Sequence, residues 1–283
     1  MIKNRLLRNM NNLIQSLSAD PLTFKKAVLL CCYAEGVLFA ANIFFSLLDL
    51  NYGIMPEILY LAAVLLVARE MGKDELRRIF AWRDIPLEVF AGVLVMFYGL
   101  EIVKSELHNL LQMVLPVPDS FFDGWFYEPE NIFLLIISMD LFPGFTEEVF
   151  FRGIIARRFC RTYPLRKAIL LSAALFGIVH LNPWQAVNAF YLGIFLGWIY
   201  WRYKSIWLCM FIHAYHNTLT LMPLPYVKMQ NEYYEVTWRH PVWFDVLGVI
   251  LFAFGLLTVI VLSRKKEEKG TISRAERREQ SRK

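Results

Sequence analysis

Eight predominantly apolar stretches, at residues 27–48, 54–69, 87–103, 131–156, 166–182, 184–201, 205–224 and 242–263, divide the chain. Each lies near the ~17–25 residues that carry a helix across the hydrocarbon of a bilayer. The prediction is an all-α fold: a polytopic membrane helix bundle of about eight transmembrane helices. The stretch at 54–69 is the shortest. Only Pro183 separates the fifth stretch from the sixth, which predicts a tight helical hairpin or a re-entrant turn. Composition agrees. Hydrophobic residues make up 57% of the chain and charged residues 19%, against roughly 45–50% and 25% in ordinary globular proteins.

The charges are bunched between the apolar stretches, and their signs separate. Lys25, Lys26, the segment Arg69 to Arg83, the segment Arg157 to Lys167, Arg202, Lys204 and the tail from Arg264 fall on one side. Asp49, Asp119, Asp123, Glu128, Glu130 and a balanced loop at 225–241 fall on the other. The positive-inside rule then predicts cytoplasmic termini in a multi-pass protein of, we expect, a bacterial cytoplasmic membrane. Trp184, Trp201, Trp207, Trp238 and Trp243 sit near predicted span ends, as interfacial belts require.

This pattern gives the net charge of +5 a topological meaning, and no nucleic-acid partner is expected. The four cysteines show no CxxC or regular spacing, so neither a disulfide framework nor a zinc–cysteine site is predicted. Met1 to Asp20 is polar and carries Lys3, Arg5 and Arg8, so no cleavable signal peptide is expected. The organisation expected is a cytoplasmic N-terminal segment at 1–26, a helix bundle at 27–263 and a charged cytoplasmic tail at 264–283, the last partly disordered by composition.

Charged groups inside spans are costly and mark function by default. The fourth span contains Thr146-Glu147-Glu148-Val149-Phe150-Phe151-Arg152-Gly153. Pro143-Gly144 just before it is expected to break or kink the helix. Glu148 and Arg152 are four apart and share a helix face, so they are expected to pair. Glu147 points about 100° away and is left free as a base. His180 lies in the fifth span, and His213 and Asn217, four apart, in the seventh. At about 1.5 Å per residue from the cationic end of each span, Glu147 is roughly 15 Å deep, His180 and Asn217 roughly 20 Å, and His213 roughly 13 Å. All four fall near the middle of a ~30 Å core.

Such a cluster suits hydrolysis. Glu147 and His180 would hold and deprotonate water, while His213 and Asn217 would donate to the oxyanion formed on a carbonyl. Two other readings stay open on the residues alone. One is a buried polar network that fixes helix packing. The other is a metal site, since two histidines and a carboxylate can ligate an ion. The HExxH pattern is absent, and the expectation is no cofactor, with a divalent metal as the alternative.

Glu147-Glu148-x-x-x-Arg152, Phe176-x-x-x-His180 and His213-x-x-x-Asn217 resemble, in order, the three motifs of the CPBP (Abi) family of Rce1-like CAAX-protease and bacteriocin-processing proteins. Phe190-x-x-Gly193-x-x-x-Gly197-x-x-Tyr200 and Ser205-Ile206-Trp207 extend the resemblance across about residues 131–220. The resemblance implies a membrane-embedded glutamic endopeptidase acting on peptides or membrane-tethered proteins. It implies that Glu147 and His180 activate water, that His213 and Asn217 form the oxyanion site, and that Glu148 and Arg152 support the first of these helices. The alternative is a non-catalytic scaffold or bacteriocin-immunity protein on the same fold. A proton-relaying transporter is disfavoured by the lack of inverted repeats.

Overall fold

The computed structural model describes residues 12, 14–16, 21–48, 54–118, 136–221 and 239–280, without the side chains of 139, 221 and 265–280. Every regular element among them is helical. In chain order these are α1 (Phe24–Leu47), α2 (Ile54–Glu70), α3 (Lys73–Ile79), α4 (Leu87–Val114), α5 (residues 137–162), α6 (Leu165–Ile178), α7 (Pro183–Tyr203), α8 (Ile206–Leu221) and α9 (Val242–Gln280). Helices therefore occupy each of the eight apolar stretches. The acidic residues Asp49, Asp119, Asp123, Glu128 and Glu130, residues 131–135 and 222–224 of two predicted spans, and Trp238 lie outside the described residues.

By length and hydropathy alone, two helices suffice to cross a membrane: α1, and α9 from Val242 to Arg264. Both turn large apolar side chains outward, among them Phe39 and Leu47 on α1 and Phe254 and Leu257 on α9. Four of the other six stretches fall short for visible reasons. Helix α2 has 17 residues, α6 has 14 and α8 has 16. Helix α5 carries Asp140, Glu147, Glu148 and Arg152. The backbone of α9 stays helical to Gln280, through the tail that composition reads as partly disordered. Arg, Glu, Lys and Ala there are good helix formers.

The chain groups into two compact units, residues 1–83 with 117–232 and residues 84–116 with 233–283. In the second, α4 and α9 pack as a pair whose seam is glycine. A Cβ on Gly99 would lie 2.3 Å from the Phe252 nitrogen, and one on Gly255 would lie 2.4 Å from the Met96 nitrogen. In a bilayer, where lipid is as apolar as leucine, such close backbone approach is what drives helices together.

The first unit holds the other helices. Segments predicted to share a membrane face meet at one end of it. Glu75 on α3 pairs with Arg157 and Arg161 on α5, at 3.0 and 2.8 Å. The Tyr163 hydroxyl accepts from the Phe24 amide at 2.9 Å, and Trp207 Nε1 donates to the Phe80 carbonyl at 3.2 Å. Helices α6 and α7 form a tight hairpin. Gly193 approaches Ala173 so closely that a Cβ would sit 2.9 Å from the Ala173 Cα, and Gly197 lies against Ile169.

Two local expectations are corrected. Pro143-Gly144 does not break α5. The helix passes through as a π turn (Ile137–Leu141), an α segment (Phe142–Glu148), a π segment (Val149–Ala156) and an α segment (Arg157–Thr162). Proline lacks an amide proton, and the wider π ladder before it accommodates the missing bond. Gly144 serves packing: a Cβ there would lie 3.0 Å from the Ala214 nitrogen of α8. Second, α6 ends at Ile178, so His180 sits in the turn to α7 and not within the helix. Leu181 takes φ 57, and the Asn182 side chain caps α7 by accepting from the Gln185 amide at 2.8 Å.

Candidate active site

The centre of the site is the join between the α segment and the π segment of α5. Within the π segment, the Phe151 carbonyl accepts from the Ser172 hydroxyl of α6 at 3.2 Å. Single π turns inside α-helices recur at functional sites; here one follows directly on Glu148 and carries Arg152.

Glu148 and Arg152 pair as their spacing predicts, Arg152 Nη1 donating to Glu148 Oε1 at 2.6 Å. Both side chains are buried, at 0% and 1% accessibility. The same carboxylate oxygen accepts from His213 Nδ1 of α8 at 2.8 Å. The guanidinium also stacks over the Phe176 ring, 4.6 Å from its centroid. Glu148 is thus committed to holding two cationic or donor groups in place.

Glu147 differs. Its side chain keeps 23% accessibility, and its Oε2 lies 3.6 Å from His213 Nε2. His213 therefore stands between the two glutamates, with Nδ1 fixed on one and Nε2 turned toward the other. Glu35 and Glu57, on α1 and α2, are near enough for their charges to act on Glu147. Glu35 in turn accepts from the Tyr60 hydroxyl at 2.8 Å.

The His180 ring is oriented by its own helix. Nδ1 donates to the Phe176 carbonyl at 2.8 Å, which leaves Nε2 as the acceptor of the neutral ring. The Phe176 ring meets His180 and His213 edge-on, at centroid distances of 5.3 and 5.6 Å. Phe176 is thus the shared wall between the two imidazoles, a role beyond its place in the motif spacing. Asn217 lies one turn beyond His213 on α8. Geometry thus brings Glu147, Glu148, Arg152 and His213 into one chain of polar contacts and sets His180 beside it through Phe176.

Two further polar groups belong to the neighbourhood. Asp140 is fully buried and accepts from the Thr218 hydroxyl at 2.9 Å, tying α5 to α8 beyond the site. Its four-residue setting, Ser-Met-Asp-Leu, is apolar enough that the charge could have been noticed in the sequence. Among the described residues, three ligand atoms within 4.8 Å of one another occur at Glu106, His240 and Asp245 in the second unit, not here. Arg152 and His213 both engage Glu148 Oε1, while Oε2 of the same carboxylate is buried without a hydrogen-bond partner.

One comparison with known proteins gives a match on these helices. Residues 129–219 match the family model described as type II CAAX prenyl endopeptidase Rce1-like. The matched segment is about a third of the chain and contains α5 to α8 almost entirely. No curated protein and no solved structure gives a match.

Proposed function

We propose, on the premise that residues 129–219 belong to the CPBP family through their Rce1-like match, that this integral membrane protein is an endopeptidase in which Glu147 activates water. Family membership carries the coarser statement, a membrane protease acting on peptide or protein. The residue roles rest on one observation: Glu148 is fully buried and occupied by Arg152 and His213, whereas Glu147 is accessible and uncommitted except to His213.

In this reading a water donates one hydrogen bond to Glu147 and the other to His180 Nε2. Glu147 takes the proton as the water oxygen bonds to the scissile carbonyl carbon. The carbonyl π electrons move to oxygen, and the oxyanion is held by His213 Nε2–H and the Asn217 side-chain amide. Glu148 makes this donor role of His213 feasible, because an imidazolium can keep Nδ1–H on Glu148 while offering Nε2–H to the oxyanion. The tetrahedral intermediate collapses as the Glu147 carboxyl returns its proton to the leaving nitrogen. The C–N bond breaks, giving a carboxylic acid and an amine, and the acid's remaining water proton then passes to the amine to leave a carboxylate and an ammonium. Preorganised donors of this kind are worth about 10²–10³ in rate each.

The test is a comparison of membrane proteomes from strains carrying the wild type or Glu147→Gln, scoring new peptide termini. Glu147→Gln keeps the volume and removes the base. The wild type is expected to generate termini that the variant lacks, at equal protein levels. Retained turnover in the variant would overturn the reading and favour a scaffold role.

A further inference from the structure

The cationic end of the first unit contains a cavity of about 270 Å³ that the proposed chemistry does not use. Five cations line it: Arg78, Arg83, Arg157, Arg161 and Lys204. Among the described residues, no acidic side chain lines it. The carboxylate that reaches these arginines is Glu75, which pairs with Arg78, Arg157 and Arg161 at 3.3, 3.0 and 2.8 Å. Among the described lining residues the charge is therefore cationic, with Glu75 offsetting part of it.

The positions are built and not merely loose surface charge. Lys204 occupies the left-handed C-cap of α7 at φ 52, its amide donating to the Tyr200 carbonyl at 2.8 Å. That conformation is uncommon for a residue with a side chain, and it sends the ammonium over the Trp201 ring at 5.8 Å. Burial, together with repulsion from Arg157, pushes the Lys204 ammonium below the ordinary lysine value despite an opposing pull from Cys160. An arriving anion would relieve that repulsion. Arg157 is positioned from two sides, by Glu75 and by the Tyr200 hydroxyl.

Size and place narrow the ligand. At about 270 Å³ the cavity is at the lower edge of the ~300–1,000 Å³ typical of small-molecule pockets. It holds a headgroup-sized anion and is too small for a dinucleotide. Guanidinium groups match phosphate oxygens in pairs. Ala156, Ile169 and Gly197 make the remaining wall apolar, which suits a phosphate carrying an apolar stem. Its α5 residues, Ala156, Arg157, Cys160 and Arg161, lie at and beyond the far end of the π segment that follows Glu148, so it is separate from the glutamate pair.

We propose that this cavity binds a phosphate group, the phosphodiester of an anionic phospholipid being the form best matched to a basic pocket between membrane helices. The proposal does not rest on proteolytic activity.

Cys160 gives a local readout, because it lines the cavity and is exposed, while Cys31 and Cys209 are buried. With Cys32 replaced by serine, the full-length protein would be placed in nanodiscs of phosphatidylcholine, alone or with phosphatidylglycerol. The measurement is the rate of Cys160 alkylation by N-ethylmaleimide. Phosphatidylglycerol is expected to slow labelling by about tenfold, a difference of about 1.4 kcal/mol in occupancy. The Arg83→Gln/Lys204→Gln protein is expected to lose that protection, and Arg83→Lys/Lys204→Arg to keep it. If the glutamine pair fails to fold, Arg83→Gln alone carries the comparison, with a thermal melt as its check. Inorganic phosphate added to phosphatidylcholine discs forms the second arm: protection there assigns the site to a soluble phosphate. Labelling unchanged by lipid and phosphate alike, or protection that survives the glutamine pair, overturns the proposal.

Discussion

Glu148 Oε1 receives both Arg152 and His213. Because that carboxylate and guanidinium are both out of solvent, the pair is more fragile to halving than to removal. Losing one partner of a buried pair costs about 3–5 kcal/mol, while replacing both by apolar or neutral groups of similar volume is often near neutral. Arg152→Met alone is therefore expected to destabilise the protein by that amount, and Glu148→Gln/Arg152→Met to recover much of it in thermal melts. The double variant should still be slow, since His213 loses its anionic anchor. The Glu148–Arg152 pair was legible from its spacing of four. The His213 contact was not, because it joins residues 65 apart on different helices, and no periodicity encodes a meeting of that kind. His180 lies past the end of α6, where the sequence reading had kept it in the apolar stretch, although Asn182-Pro183, an N-cap followed by proline, already marked where the new helix begins.

At the scale of elements, the α6–α7 turn is held by Gly177. A Cβ there would meet the Ala186 carbonyl oxygen at 2.6 Å, so Gly177→Ala must push the two helices apart within three residues of His180. Cleavage is expected to fall at least about tenfold with little change in expression, measured with a peptide substrate. Gly36→Ala is the control: nothing lies within 4 Å of its Cβ, and the helix should gain up to about 1 kcal/mol. Helix α3 supplies a second test. Burial pushes the Glu75 carboxyl up, but the Arg161 hydrogen bond and the charges of Arg157, Arg161 and Arg78 outweigh it and hold the carboxyl below the ordinary carboxylate range. Its stabilising effect is thus fully present above the unfolded-state value and disappears as pH falls through the lower folded value. Glu75→Gln should lose stability at neutral pH and show a flatter melting temperature between neutral and acid conditions. The π segment of α5 could not be read in advance. Its residues from Val149 to Ala156 are all buried, so an apolar pattern fits an α or a π register equally.

At the scale of the molecule, the helical class and the core at about 131–220 were readable because apolar length and motif order survive without coordinates, and the core agrees with the family match at 129–219. The division into two units was not anticipated, although Gly92 and Gly99 on α4, and Gly248 and Gly255 on α9, each repeat at seven residues. That repeat sets one glycine per two turns on a single face. Deleting α9 is expected to leave α4 without its partner and to cause rapid loss of the protein in a pulse-chase experiment, even with α5 to α8 intact.

The glycine seam also sets a timetable. Val114 ends α4, and Val242 begins α9, so 127 residues separate the two halves of that pairing. At roughly 5–20 residues per second of synthesis, α4 waits about 6–25 s for its partner to emerge. During that interval its narrow glycine face is open to any other helix at the insertion machinery. The ribosome's pace, and what shields α4 meanwhile, therefore bear on the yield of this protein as directly as the contacts it finally makes.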